Sequence, residues 1–206
     1  MIQQKFLFIL LSLFALSSPS FAQKITVHVF MEDYASSPSG DTIYYDFNRP
    51  LTWADFQGKV PADAPWGAMT ASGFSYKSSA SIDENNIEIN VGVYTFFTKN
   101  NSWKKPSAHS AYHLQHEQHH FDITRLGAAK VVDEIRKAHF TKANYKTLLN
   151  SIFDKVYQEQ IALQNQYDRE TKNSMDTAKQ LEWNRKITDE MQKIKTNPGQ
   201  VISLKM

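Results

Sequence analysis

The chain has 206 residues, a formal net charge of +2 and no cysteine. A net charge this small produces no strong field that would attract nucleic acid or anionic lipid, so we expect no nucleic-acid partner. The lack of cysteine excludes disulfide bonds and a lipid anchor attached through cysteine. The fold must therefore be stabilised by its core, with or without a bound metal.

The first 22 residues have the pattern of a secretory signal peptide. Lys5 precedes an apolar run at residues 6–16, and the small residues Ser20 and Ala22 fit the cleavage rule. The run is short compared with the roughly 20 apolar residues that span a bilayer, and an uncleaved anchor is the alternative. We expect cleavage after Ala22, no membrane association afterwards, and export to a bacterial periplasm or the exterior.

Residues 23–206 predict a single domain, and its first half, residues 23–103, has the pattern of strands. Four stretches are rich in β-branched or aromatic residues or alternate between apolar and polar residues: "ITVHVF", "TIYYDF", "AMTASGFSYKSSASI" and "IEINVGVYTFF". In the last one, Ile87, Ile89 and Val91 alternate with residues that are polar or glycine, which predicts one buried face. A polar turn separates the last two stretches, so we expect them to form an antiparallel hairpin.

A segment rich in proline, glycine and aromatic residues, "RPLTWADFQGKVPADAPWG", lies between these strands. This composition predicts an ordered loop. We expect Trp53, Phe56 and Trp66 to pack within the loop or core rather than line a substrate site.

The second half, residues 107–195, has the spacing of helices. Ser107 is predicted to cap a first helix that ends near Phe140, with Gly127 as a bend or break. Two amphipathic helices are predicted further along, where apolar residues recur every three or four positions. These elements predict an α+β fold in which an antiparallel sheet packs on a helical half.

The first predicted helix contains the histidine-rich stretch "HLQHEQHHFD". His116, Glu117 and His120 form an H-E-x-x-H motif, and residues four apart lie on one face of a helix. Two neutral imidazoles suit Zn²⁺ and leave room for a third ligand and a water. Glu117 lies about 100° round the helix from His116, where its carboxylate can transfer a proton beside the metal. The motif therefore predicts metal-assisted hydrolysis.

The histidines also admit a structural interpretation. His109, His113, His116 and His120 fall within about 60° of one another on an ideal helix. Such a stripe can pack as a polar helix surface and bind metal only adventitiously. In that case the protein is structural and has no native metal.

A third ligand is not evident from the motif itself. Asp122 lies about 240° round the helix from His116, so we expect a cap, an ion-pair partner or a group that supports the ligands. Glu134 has a suitable angle but lies about 27 Å along a continuous helix. It can reach the site only if Gly127 reverses the chain.

More of the sequence resembles one family. The stretches "LTWADFQG", "AMTASGFSY", "SWKK", "HEQHHFDI", "YDRET" and "QLEW" occur in the order seen in the domain of unknown function 922 (DUF922) family. The resemblance covers residues 51–187, most of the chain after the signal peptide. Members of this family are predicted secreted zinc-dependent proteases. The resemblance thus implies a zincin-like metallopeptidase, here a monomer, with Zn²⁺ as cofactor and a peptide or protein as substrate.

The resemblance also suggests further site residues. Asp168, in "YDRET", is the favoured third zinc ligand, brought to the site by a returning antiparallel helix. The family pattern continues with a histidine where this chain has Asn173. Asn173 could still donate a hydrogen bond to an oxyanion, and His113, one turn before His116, could substitute locally. The alternative is a metal-binding but weak or inactive member that acts as a secreted or envelope binding module.

Overall fold

The computed structural model describes residues 24–83 and 86–196. The proposed signal peptide and the residues after 196 lie outside the described residues. Within them, strands come first and three helices follow, so the predicted α+β class is confirmed. The strands are β1 Lys24–Met31, β2 Thr42–Tyr44, β3 Ala68–Met69, β4 Ser72–Ile82, β5 Asn86–Thr98 and β6 Trp103–Lys104.

β5 is the central strand of the main sheet. β4 pairs with it antiparallel along one edge, from Ser72 opposite Phe97 to Ile82 opposite Ile87, which confirms the predicted hairpin. β2 pairs antiparallel and β1 pairs parallel with the other edge. The expectation of an entirely antiparallel sheet is therefore wrong for β1. A long connection separates β1 from β5, so no tight turn dictates their direction, and side-chain alternation is the same in both arrangements.

One face of this sheet is covered by helices. Ile87, Ile89, Val91 and Val93 are at most 1% exposed, which confirms the alternation predicted for β5. Burying each such side chain contributes about 1.5–3 kcal/mol, so this face supplies much of the core.

The predicted strand at residues 68–82 is interrupted. β3 pairs with β6 in a small second sheet, and β4 begins only at Ser72. Between them, Ala71 N–H donates to Ser102 Oγ at 2.9 Å, and Ala71 O accepts from Thr98 N–H at 2.9 Å. These bonds hold Ala71 at the junction of the two sheets, and Thr70 lies between the two strands.

The three helices are α1 Ala111–Lys137, α2 Tyr145–Thr171 and α3 Thr177–Thr196. Ser110 caps α1, and its side chain accepts a hydrogen bond from the His113 N–H. The predicted cap at Ser107 is therefore wrong, because Ser110 provides the hydroxyl at the cap position, and the helix ends at Lys137, three residues before the predicted end near Phe140. His109 precedes the helix, so the four-histidine stripe is reduced to three.

Gly127 does not bend or break α1, which runs for 27 residues without interruption. A Cβ atom at this position would lie 2.9 Å from Phe74 Cε1 and 3.1 Å from Gln160 Cγ. Glycine thus lets α1 approach both β4 and α2 closely. Because α1 is continuous, Glu134 stays away from the histidines and pairs with Lys155 at 3.2 Å.

The aromatic loop at residues 49–67 is ordered as predicted and is attached to α1. Leu51 N–H donates to Gln118 Oε1 at 2.7 Å, and Trp53 Nε1–H donates to Ser110 O at 3.3 Å. Phe56 is buried in the core as expected, but Trp66 is 47% exposed. The packing role expected for Trp66 is therefore wrong.

None of the helices in the described part of the chain combines the length and hydrophobicity that crossing a membrane requires.

Candidate metal centre

Three ligand atoms converge at one point beside α1. His116 Nε2 and His120 Nε2 are 3.3 Å apart, and Asp168 Oδ1 lies 3.2 Å from the first and 3.0 Å from the second. A tetrahedral zinc site with Zn–N distances of about 2.0–2.1 Å places neighbouring ligand atoms about 3.3 Å apart. The triangle of donor atoms therefore already has the dimensions of one face of such a site.

Two antiparallel helices build this triangle. His116 and His120 are one turn apart on α1, and Asp168 lies in the last turn of α2. Along the helix pair, His116 faces Asp168 while His120 faces Gln164 four residues earlier, so the helices run in opposite directions. The antiparallel return of α2 thus brings Asp168 to the histidines.

Two glutamines determine which imidazole nitrogen faces the centre. His116 Nδ1–H donates to Gln180 Oε1 at 2.9 Å, and His120 Nδ1–H donates to Gln164 Oε1. The amide nitrogen of Gln164 donates to His120 O at 2.8 Å, which fixes the orientation of the amide group. With protons held on both Nδ1 atoms, the lone pairs of the Nε2 atoms are directed to the point shared with Asp168.

The electrostatics of the centre favour a positive charge. Burial opposes a charge on His120, but the hydrogen bond to Asp168 and its negative charge outweigh burial and raise the pKa of His120 to about 9. Burial disfavours ionised Asp168, but its polar contacts with His116 and His120, together with the positive charge on His120, lower the pKa of Asp168 well below its usual range. In the metal-free protein, a proton on His120 therefore takes the place of a cation. A divalent metal would satisfy the same carboxylate and both lone pairs.

Glu117 is beside the ligands and is held by a residue outside the helix. Glu117 is 6% exposed and lines the same cavity as His116 and His120. Thr70 Oγ1–H donates to Glu117 Oε2 at 2.7 Å. Thr70 Oγ1 also lies 3.1 Å from the backbone oxygen of Glu117. A carboxylate fixed in this way can accept a proton from a water and return it to a leaving group.

Tyr167 supports His116 from behind. The two rings are stacked with centroids 4.6 Å apart, and the tyrosine is fully buried. Its hydroxyl accepts a hydrogen bond from Gln180 Nε2 at 2.6 Å. Burial also holds the pKa of Tyr167 well above its usual range. Tyr167 is therefore a packing residue rather than a donor to substrate.

Asp122 forms its hydrogen bonds with residues other than the candidate ligands. It is buried and accepts hydrogen bonds from Tyr45 at 2.8 Å, Gln118 at 2.8 Å and His119 at 2.9 Å. The angle predicted for Asp122 is correct, and its ion pair with His119 was among the expected roles. The predicted role of Asp122 as a group that supports the metal ligands is wrong, because Asp122 bonds to neither His116 nor His120. Its bond with Tyr45 instead joins α1 to the chain after β2.

His113 and Asn173 both border the cavity. His113 is exposed, and its Nδ1 lies 2.7 Å from Ser110 Oγ. Asn173 lies in a turn after α2 where three successive residues, Lys172, Asn173 and Ser174, have φ angles of 50°, 50° and 70°. Left-handed residues other than glycine cost energy and are concentrated at functional sites. This turn places Asn173 in the lining of the cavity that contains the candidate metal ligands.

A cavity of about 650 Å³ opens onto the centre. Its lining includes the three ligands, Glu117, residues 65–70 around β3, and one face of α2. The volume lies within the usual range of about 300–1,000 Å³ for ligand sites.

Sequence reasoning missed Thr70, Gln164 and Gln180. Gln180 begins the "QLEW" stretch, so the resemblance contained a signal for it. Gln164 precedes Asp168 by four residues and therefore shares its helix face, which could have indicated a polar contact. Thr70 has no local signal, because its contact with Glu117 spans 47 positions of the chain.

The fold and its centre define an α+β protein with three converging side chains that could hold a metal ion. In comparisons with known proteins, residues 99–176 match the family described as bacterial protein of unknown function (DUF922). Over these residues the chain is similar to the DUF922 family, in agreement with the resemblance seen in the sequence. The matched segment contains the three candidate metal ligands, Glu117 and Asn173. No curated protein and no solved structure matches the chain, so the zincin-like architecture stays a prediction.

Proposed function

We propose that this protein is an exported, monomeric zinc-dependent peptidase. The observation that carries the proposal is the convergence of His116 Nε2, His120 Nε2 and Asp168 Oδ1, all within 4.8 Å of one another, beside Glu117 and a cavity. Two imidazoles and one carboxylate form a donor set that zinc uses in hydrolytic sites. When bound, zinc supplies a Lewis acid that polarises a carbonyl and makes water more acidic.

The chain's own residues supply the proton transfers. Glu117 takes a proton from the attacking water and later delivers it to the amine that leaves. Thr70 orients Glu117 through the 2.7 Å bond to its Oε2 atom. The glutamines hold both histidines, so the ligands need no rearrangement during the reaction.

The short strand β3 borders the cavity and pairs with β6 along one edge. Lys105 N–H donates to Gly67 O at 2.7 Å, so these two residues form a hydrogen-bonded pair between the segments of β3 and β6. Because such pairs alternate along a strand, the N–H and C=O of Ala68 point away from β6. An extended peptide can pair with these groups by adding a strand beside the metal centre.

A second function is a secreted or envelope module that binds metal without catalysis. Asn173 favours it, because the family pattern has a histidine at this position. In that case the centre holds a metal for stability or ligand binding, and Glu117 transfers no proton.

Metal analysis of protein purified without a histidine tag tests the centre first. We expect about one zinc per chain, lost in His116→Ala and His120→Ala, because neither ligand can be spared from a three-ligand site. The matched control is His28→Ala, since His28 lies on β1 and pairs with Glu88 at 3.1 Å. Full retention of zinc by either ligand variant would refute the metal centre.

Peptide hydrolysis then separates the two functions. Glu117→Gln should keep zinc and lose nearly all hydrolysis, because the amide has the same shape but cannot accept a proton. Activity within a few-fold of the parent would remove Glu117 from the mechanism. A zinc-loaded parent that cleaves no peptide would favour the binding module.

A further inference from the structure

Exposed apolar side chains are concentrated around the cavity. Among the described residues, seven large hydrophobic side chains are at least 36% exposed: Phe30, Trp66, Met69, Ile82, Tyr157, Met175 and Leu181. Four of them, Trp66, Met69, Tyr157 and Met175, line the cavity at the metal centre. Clustered exposed apolar surface marks binding sites, whereas single exposed residues need no explanation.

The cavity is a groove with two walls. Trp66 and Met69 lie on the wall formed by the segment around β3. Tyr157, Ile161 and Asp168 lie on the other wall, spaced so that they share one face of α2. At 1.5 Å per helical residue, this face extends about 16 Å from Tyr157 to the ligand Asp168. That length matches about five residues of an extended chain.

The far end of the groove is preformed. The Tyr157 ring packs against Phe74 and Phe153, with centroid distances of 6.1 and 6.4 Å. Both neighbours belong to the apolar core between the sheet and the helices. Tyr157 is therefore held in place while 41% of it stays exposed to the groove.

Outside the metal centre, the described lining of the groove carries no lysine or arginine that would bind an anionic occupant. Glu117 and Asp168 both line the groove, at the end where the histidines converge. None of the described lining residues is a lysine or an arginine. Away from the metal centre itself, a fatty acid or a phosphorylated ligand would find no lysine or arginine among the described lining residues, whereas a polypeptide backbone is neutral and can pair with β3.

We propose that the groove binds an extended polypeptide segment with large apolar side chains. Trp66, Met69 and Tyr157 contact side chains on one side of the metal centre, and Met175 contacts a side chain on the other. This inference rests on the proposed function, since the bound segment is the substrate of the same centre. It adds the substrate class, which is peptides with apolar residues several positions from the cleaved bond.

Calorimetry with two blocked peptides of ten residues tests the inference. One peptide carries leucine or phenylalanine at alternate positions, and the other carries serine there. The protein is the zinc-loaded Glu117→Gln form, which binds without cleaving. We expect the apolar peptide to bind at least tenfold more tightly, and Trp66→Ala or Tyr157→Ala to reduce this preference about tenfold each.

Matched controls use equally exposed residues away from the groove. Phe30→Ala and Leu181→Ala remove side chains that are 46% and 49% exposed, and they should leave the preference unchanged. Zinc content and circular dichroism of every variant check that the fold is retained. Equal affinity for both peptides, equal losses in the control variants, or stronger binding of a neutral acyl-chain detergent than of the apolar peptide would overturn the inference.

The same variants separate this inference from the peptidase proposal. If the parent cleaves neither peptide but the groove variants lose the apolar preference, the peptidase proposal fails and the groove assignment stands. If the parent cleaves both peptides equally well and binds them equally, the peptidase proposal stands and the groove assignment fails.

Discussion

Gln180 accepts a hydrogen bond from His116 Nδ1 at 2.9 Å, although the two residues are 64 positions apart in the chain. Gln180 is completely buried, and its amide nitrogen donates to Tyr167 at 2.6 Å and to Asn184 at 2.7 Å. Reversing the amide would place its oxygen against Asn184 Oδ1, a second acceptor whose orientation is set by the bond from Asn184 Nδ2 to Gln115. The fixed amide therefore keeps the proton of His116 on Nδ1 and leaves Nε2 available to a metal.

Replacing Gln164 or Gln180 by leucine should weaken zinc binding. Each leucine leaves one ligand histidine without its acceptor, and the loss of such a partner typically costs about 10–100-fold in metal affinity. Competition with a zinc chelator measures the change. The control is Gln166→Leu on the same helix, because Gln166 donates to Glu170 rather than to a histidine. Equal affinities in all three variants would mean that the glutamines do not position the ligands.

Local patterns predicted most of the fold. Apolar residues alternate in β5 and recur every three or four positions in the helices, because each of these elements buries one face. The predictions for the direction of β1 and the cap of α1 were wrong, because local patterns do not determine either feature. Alternation does not distinguish parallel from antiparallel pairing, and Ser107 and Ser110 are equally good caps until tertiary contacts select one.

The candidate site was predictable to the extent that it is local. His116, Glu117 and His120 follow from spacing on one helix, and Asp168 was suggested by the family resemblance. Thr70, Gln164 and Gln180 join the site through packing of separate elements, which no local pattern records. Gly127 shows the same limit, since its role depends on Phe74 and Gln160.

The stability of the metal-free protein should fall as the pH rises. The pKa of His120 is raised to about 9 from 6.5, so its stabilising contribution is complete below pH 6.5 and is lost through about pH 9. The pKa of Asp168 is lowered, so its contribution is present above its ordinary value of 3.8 and is lost only in acid. Thermal unfolding of chelator-treated protein should therefore occur at a lower temperature at pH 9 than at pH 6.5.

Zinc should reverse this dependence, because it binds the unprotonated Nε2 of His120. The increase in Tm caused by zinc should be larger at pH 9 than at pH 6.5, as measured by calorimetry of matched samples. The control is metal-free Asp168→Asn, which lacks the charge that raises the pKa of His120 and should lose less stability at high pH. A zinc effect that is constant over this range would exclude His120 as a ligand.

Thr70→Val should lower hydrolysis while leaving zinc content unchanged. Valine keeps the shape but removes the hydroxyl bound to Glu117 Oε2, and a hydrogen bond to a charged group contributes about 1.5–3 kcal/mol. We expect kcat to fall about tenfold or more, and Thr70→Ser to retain most of the activity. In the Glu117→Gln background, Thr70→Val should have no further effect. Equal losses in the valine and serine variants would indicate packing rather than orientation of Glu117.

Asn173→His restores the residue type that the family pattern has after "YDxxT". Asn173 has a φ of 50°, a conformation in which histidine is also enriched, so the substitution should not disrupt the turn. If the family histidine stabilises an oxyanion, the variant should gain hydrolysis, since one such donor is worth about 10²–10³ in rate. We expect a weakly active parent, a clear gain in kcat in the variant, and similar Tm and zinc content in both.

The matched control is Lys172→His, which places the same side chain on the adjacent residue of the same left-handed turn. Lys172 is exposed and does not line the cavity, so this variant should gain no activity. An equal gain in both variants would mean that added histidine acts nonspecifically. An inactive parent whose Asn173→His form binds zinc and stays inactive would instead favour the non-catalytic module, because a restored donor can increase a rate only where the remaining machinery already performs the reaction.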